Sequence, residues 1–286
     1  YNTKDLLRAC LSSIEKGANR FQYEIIVVDN ASIDGSADMV KKEFSDVVLL
    51  ANKENVGYSK GNNQGVRKAK GRLILFLNAD TLVYEKTLDT MVRFIDQHIG
   101  AGAATCKVVL PNGSLDEASH RGFPTPWRSF CHFSGFSKLF SHSNIFAGYT
   151  LGWMNLNESH EIEACAGAFM LVGREAGESV GWWDENFFWY GDDLDFCFRL
   201  KEKGWKVYFV PEVKVLHYKG VSGGIKKISK HLTSATRETR IRVTNARFRA
   251  MEMFYDKHYK EKYPALITWL VFLTIRVKWW LTLRAL

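Results

Sequence analysis

The sequence has little that would cross-link it. Its 286 residues include five cysteines, Cys10, Cys106, Cys131, Cys165 and Cys197, an odd number with no C-x-x-C pair. That argues against a disulfide framework or a structural zinc site and fits a reducing compartment. No internal repeat and no low-complexity segment occurs, which argues against a solenoid or a disordered tail. No window of 18 uncharged apolar residues is present, so no clear membrane span is expected. The chain opens on Tyr1 without a signal-peptide pattern.

What is present is the composition of an ordinary globular protein, 46% hydrophobic and 24% charged. The net charge of +8 suggests nucleic acid until it is partitioned. From Lys226 to the end there are 14 basic and 4 acidic residues, leaving 25 basic and 27 acidic in the first 225. A near-neutral body without a recognised module argues against nucleic-acid binding. The basic tail carries an apolar segment from Ala265 to Ile275, followed by Arg276, Lys278, Trp279 and Trp280. This pattern suits a helix lying at a membrane interface.

Along the first half, helical spacing (Leu6, Leu7, Cys10, Leu11, Ile14) alternates with short apolar runs at 24–28, 47–51 and 73–77. Apolar strands separated by helices predict a parallel sheet covered on both faces, with ligands at the carboxyl ends of the strands. The polar residues fall there: Asp29 and Asn30 after the first run, Asn78 and Asp80 after the third. Tyr1 and Asn2 would occupy the same position if another strand came before them, so a strand upstream of Tyr1 is expected. Further along, 207–210 and 213–216 read as two strands.

Three constellations carry chemistry. In Asn78-Ala-Asp80, positions i and i+2 share one side of an extended chain. A carboxylate there can meet a divalent ion bound to a diphosphate, although such an Asp also serves as a turn or helix cap. Phe187-Phe-Trp-Tyr-Gly-Asp-Asp-Leu-Asp195 runs aromatic residues into a helix start. Aromatic walls can hold a sugar ring, and Asp192 or Asp193 offers a general base. The helix N-terminus favours an ionised carboxylate and desolvation opposes it, a balance the sequence leaves open. His217 follows a strand and can serve as a metal ligand.

Taken in order, these segments resemble family-2 glycosyltransferases of the GT-A fold, particularly rhamnosyltransferase-like bacterial members. The matching stretches include Val27-Val-Asp-Asn-Ala-Ser-Ile-Asp-Gly-Ser36, Asn55-Val-Gly-Tyr-Ser-Lys-Gly-Asn-Asn-Gln-Gly65, Gly71 to Asp80, Ala166-Gly-Ala-Phe-Met-Leu171, Gly181 to Arg199 and His217 to Ser222. The resemblance implies an α/β fold: a Rossmann-like nucleotide-binding sheet, a mixed C-terminal part and a helical basic and apolar tail. It implies nucleotide-sugar contacts at Tyr1, Asp29, Asn30, Gly57, Asn63, Asn78 and Asp80. It makes Asp193 the catalytic base, Asp80 and His217 ligands of Mg²⁺ or Mn²⁺, and Gly167, Trp189, Tyr190 and Asp192 the sugar and acceptor pocket. Two departures stand out: Asn78 replaces the first carboxylate of the family's DxD motif, and Asp192-Asp193 replaces its Glu-Asp pair.

The organisation expected is a nucleotide-sugar half over 1–105, an acceptor and catalytic half over 106–225, and a tail over 226–286 acting as a membrane-surface anchor. The activity expected is inverting, metal-dependent transfer from a dTDP- or UDP-linked sugar to a glycan or lipid-linked acceptor in cell-surface polysaccharide synthesis. The place expected is the inner face of the cell membrane. A sugar-binding relative without turnover is the main alternative. Gly220-Val-Ser-Gly-Gly224 formally matches the G-x-S-x-G of serine hydrolases, but no convincing downstream acid and His follow it. The spacing of Gly57, Gly61 and Gly65 lacks the G-x-G-x-x-G turn of dinucleotide oxidoreductases.

Overall fold

Apolar runs become strands here because both of their faces are covered. The computed structural model describes residues 1–17, 20–221, 223–224, 233 and 235–286. Helix α1 (Lys4–Gly17) leads to β1 (Ile26–Asp29), α2 (Ser36–Glu43), β2 (Val48–Ala51) and α3 (Tyr58–Val66). α1 and α2 pack Leu7, Leu11, Met39, Val40 and Phe44 together over the parallel β1–β2 pair. A second sheet holds β3 (Leu73–Leu77), β4 (Thr81–Val83), β5 (Ala101–Val109), β6 (His160–Ile162), β7 (Phe169–Gly173) and β8 (Lys206–His217). Its order is β3-β7-β5-β8-β4, with β6 on β8.

The second sheet separates two apolar layers by strand alternation. Met170 and Val172 of β7, with Ile74 and Phe76 of β3, face a layer built on Trp183, Phe187 and Phe196. Phe169 and Leu171 face the opposite layer with Met91, Cys106 and Val215. The remaining helices are α4 (Thr87–Gln97), α5 (Pro126–Ser134), α6 (Phe136–Leu139), α7 (Arg174–Ser179), α8 (Asp192–Glu202), α9 (Arg237–His258) and α10 (Ala265–Arg284). All five cysteines are free and buried.

The parallel pairing expected in the first half forms at β1–β2, and the later strands β6, β7 and β8 make the second sheet mixed. Among the described residues β1–β2 and β5–β8 are parallel, and β3–β7, β5–β7, β4–β8 and β6–β8 are antiparallel. Burial on two faces makes a strand apolar whichever way it runs. Direction is set by the long excursion after β5, which returns β7 between β3 and β5. The two runs at 207–210 and 213–216 are one strand: the pairing jumps from Cys106↔Val210 to Lys107↔Lys214, so Pro211 to Val213 bulge out of the ladder. The 105/106 boundary falls inside β5. Part of the tail is built into the domain. Phe254, Tyr255 and Tyr259 join the core beside Phe198, and α10 lies on the surface with no buried residue.

Candidate active site

β1 ends on Asp29, β3 leads directly into Asn78-Ala79-Asp80, and β8 ends on His217. The β4–β8 register pairs Thr81 with His217, which brings Asp80 to the imidazole. His217 Nε2 lies 3.3 Å from Asp80 Oδ1 and 3.5 Å from Asn78 Nδ2. On the other side of the ring, Nδ1 lies 3.0 Å from Asp116 Oδ2. Asp116 is fully buried just beyond β5, its N–H donating to the Val108 carbonyl, and it also pairs with Lys219. Burial by itself would lower the His217 pKa. Hydrogen bonds to Asp116 and Asp80, with their charges, outweigh it and raise it to about 9. The same contacts, with Lys219, overcome burial and hold Asp116 far below the usual carboxylate range.

This donor set suits one kind of metal site and not another. Among the described residues no group of three His, Cys, Asp or Glu side chains could enclose an ion. One carboxylate and one imidazole nitrogen, facing each other at a cavity wall, fit Mg²⁺ or Mn²⁺ that completes its shell with phosphate oxygens. Asp116 supplies the outer carboxylate that fixes which imidazole nitrogen faces Asp80.

The second cluster forms where α8 begins. Tyr190 (φ 74) and Gly191 (φ 78) are consecutive left-handed residues that turn the chain into the helix. Such a conformation is strained for tyrosine and recurs at functional sites. Asp193 Oδ1 accepts the Leu194 N–H at 2.8 Å, and Oδ2 lies 2.7 Å from Arg121 Nη2. That contact is an ion pair without an aligned N–H, since Arg121 Nη2 and Nε make no directed hydrogen bond. Arg121 is fixed by a two-way backbone bridge to Ala164. Asp192 is buried and accepts the Asp193 N–H at 3.1 Å; burial first, then the neighbouring Asp193 charge, pushes its carboxyl well up. The two neighbours therefore differ in setting: desolvation pushes the Asp192 carboxyl up, and Asp193 lies against the Arg121 guanidinium.

The remaining candidates surround these clusters. Asp29 is buried and accepts the Ser32 N–H, while Asn30 donates to the Gly57 carbonyl and accepts from Asn52. Gly57 has φ 88, and a Cβ there would come within 2.8 Å of the Phe188 carbonyl oxygen, so the turn requires glycine. At Gly167 a Cβ would meet Tyr58 Oη at 2.2 Å; that hydroxyl donates to the Gly167 carbonyl. Twelve of the thirteen candidates border one cavity of about 1,960 Å³. Its lining includes both clusters together with apolar residues of α1, β1 and β3.

Asn63 is the exception. It is buried off the cavity, its amide donating to the Trp183 carbonyl and to Glu185 and accepting the Trp183 N–H. With its hydrogen-bonding groups used in holding α3 to the 183–185 segment, it does not face a nucleotide. Asp116, Arg121 and Lys219 line the cavity and were not anticipated. They sit in irregular segments where no periodicity marks them. Ser222, the hydrolase candidate, lies outside the described residues.

A sequence model of the family described as Glycosyl transferase family 2 matches residues 1–160, more than half of the chain. The chain belongs to glycosyltransferase family 2. It is 27% identical over 228 residues to the O-antigen biosynthesis protein RfbC of Myxococcus xanthus, covering 76% of this chain but 16% of that protein. It is 25% identical over 253 residues to the N-acetylglucosaminyl-diphospho-decaprenol L-rhamnosyltransferase of Mycobacterium tuberculosis, covering 84% of this chain and 80% of the relative. It is 28% identical over 171 residues to the rhamnosyltransferase WbbL of Escherichia coli, covering 57% of this chain and 61% of the relative.

Among solved structures, the mannosyltransferase PcManGT from Pyrobaculum calidifontis, in complex with GDP-Man and Mn²⁺, aligns with a TM-score of 0.55 at 19% identity, over 87% of this chain and 61% of that one. GalNAc-T7 with UDP, GalNAc and Mn²⁺ aligns at 0.55 and 17% identity, over 94% and 51%. These likenesses show the fold, a GT-A α/β architecture with C-terminal helices.

Proposed function

We propose that this glycosyltransferase moves a sugar from a nucleoside-diphosphate sugar to a hydroxyl of a glycan or lipid-linked acceptor, with inversion, in cell-surface polysaccharide synthesis. A rhamnosyl or hexosyl donor linked to dTDP or UDP is the chemistry suggested by the relatives named rhamnosyltransferase. The observation that carries the reading is the meeting of two clusters on one cavity mouth. Asp80, Asn78 and His217 suit a diphosphate and its ion, and Asp193 suits the acceptor hydroxyl.

Asp193 takes the proton from the attacking hydroxyl as that oxygen approaches the anomeric carbon, and a single displacement inverts the centre. Arg121 holds one oxygen of the carboxylate in position while the other accepts the Leu194 N–H. Tyr1, Asp29 and Asn30 border the nucleotide end, while Gly167, Trp189, Tyr190 and Asp192 line the sugar and acceptor side. Asp80 and His217 would hold Mg²⁺ or Mn²⁺, which when bound offsets the charge of the departing diphosphate. Buried Asp192, its carboxyl pushed up, is the one residue whose environment favours a second reading as the base. The enzyme works at the inner face of the cell membrane.

The test is a panel of nucleotide sugars with Mg²⁺ or Mn²⁺, read by thermal shift and by release of nucleoside diphosphate. A stabilising donor that is also turned over with acceptor supports the reading. Binding without turnover marks an inactive relative, and no binding by any donor overturns it.

A further inference from the structure

We infer that the α5–α6 segment and helix α10 form one surface that seats on an anionic lipid bilayer, with the active-site cavity opening at its edge. This extends the lipid-linked acceptor of the proposed reaction, and the seating itself is measured without turnover.

The first observation is where exposed apolar side chains gather. Among the described residues the large exposed hydrophobics are concentrated in two stretches, 127–153 and α10, and elsewhere they are scattered. On α5 and α6, Phe130 is 53% exposed and Leu139 73% exposed. These aromatics touch one another instead of the core: Phe146 stacks near Trp127, Phe136 and Phe140, with ring centroids 6.0, 6.1 and 4.9 Å apart. A cluster of this kind open to solvent marks an interaction surface.

The second observation joins the two stretches. Lys278 of α10 lies over the Phe133 ring of α5, 3.4 Å from its centroid. Phe130 and Phe133, together with Leu270 and Thr274 of α10, border the cavity that also holds Asp193. The apolar surface therefore reaches the catalytic mouth.

Charge selects the occupant. Residues 118–157 and 262–286 contain no Asp or Glu. Of their cations, Arg121, Arg128, Lys262 and Arg276 pair with Asp193, Glu163, Glu202 and Glu252, which leaves Lys138, Lys278 and Arg284 beside the exposed apolar side chains. An apolar surface that carries Lys138, Lys278 and Arg284 matches acyl chains beneath anionic headgroups. By length and composition α10 could cross a membrane. It is instead tied lengthwise to α9 by Thr268–Tyr255 (3.1 Å), Arg276–Glu252 (3.0 Å) and Trp279–Asn245 (2.8 Å). α9 is built into the core, so α10 lies along the domain and presents its outer face, including Trp269 and Trp280, to the bilayer plane.

The experiment is flotation of the full chain with phosphatidylcholine vesicles, with and without phosphatidylglycerol. Wild type should float with the anionic vesicles. The L139E/F140E variant, altered only on the α6 side, should lose partitioning by about tenfold or more while α10 is intact. Because the five native cysteines are buried, an environment-sensitive dye on Leu139→Cys reports the α6 tip, and its emission should shift to the blue on anionic vesicles. Wild-type flotation with unchanged L139E/F140E binding and no dye shift would overturn the inference. So would a dimer that the variant dissociates while neither protein binds vesicles. Donor stabilisation in solution should persist in the variant, which separates failure of seating from failure of the transferase reading.

Discussion

Replacing Asp116 with Asn removes the charge behind His217 while keeping the shape of the side chain. In the folded protein the His217 pKa rises from 6.5 to about 9. A group raised in this way contributes stability that is fully present below about pH 6.5 and lost as pH rises through about 9. At about 1.36 kcal/mol per unit, the contribution is about 3 kcal/mol. The depression of the Asp116 pKa is the same interaction seen from the partner, so the two are not added. Asp80 keeps its share in the variant. The D116N protein should therefore lose roughly 1–2 kcal/mol of the stability difference between about pH 6 and about pH 10. Urea unfolding of metal-free wild type and variant at both pH values measures it, and groups common to both cancel. An unchanged pH dependence would refute the charge relay from Asp116 through His217 to Asp80.

Asn63→Ala should destabilise the protein by about 1–3 kcal/mol, because buried partners at Trp183 are left unpaired; donor affinity of the folded variant should stay the same, read by calorimetry. Gly167→Ala should cost about 1–3 kcal/mol through the clash with Tyr58, and Tyr58→Phe, which drops the clashing hydroxyl, should recover part of it in the double variant by thermal melting. Chelation should stop transfer and weaken donor binding, with Mn²⁺ restoring both; His217→Ala should resist rescue.

Much of the site was legible because the chemistry falls at strand ends. The run Leu73–Leu77 announces a buried strand, so Asn78 and Asp80 had to emerge at its carboxyl edge, and the turn into α8 marked Asp192 and Asp193 in the same way. The antiparallel pairing of β3 with β7 was not legible, since an apolar strand looks the same read up or down. Pro211 divided one strand into two on paper, because a bulge and a chain break share the same local signature. Asp116 and Arg121 reach the site through tertiary bridges to β5 and Ala164, and nothing in their neighbours in sequence reports those contacts. Asn63 shared the family's pattern, yet its amide is consumed by packing, a fact visible only once residues 120 apart in sequence are brought together.

The measurement that tests the central claim most directly is sugar transfer by Asp193→Asn beside Asp192→Asn, with donor binding followed in parallel. The account predicts that D193N binds donor normally and loses about 10²-fold or more in turnover, while D192N keeps the larger share of its activity. Near wild-type turnover in D193N, or a loss confined to D192N, would contradict it.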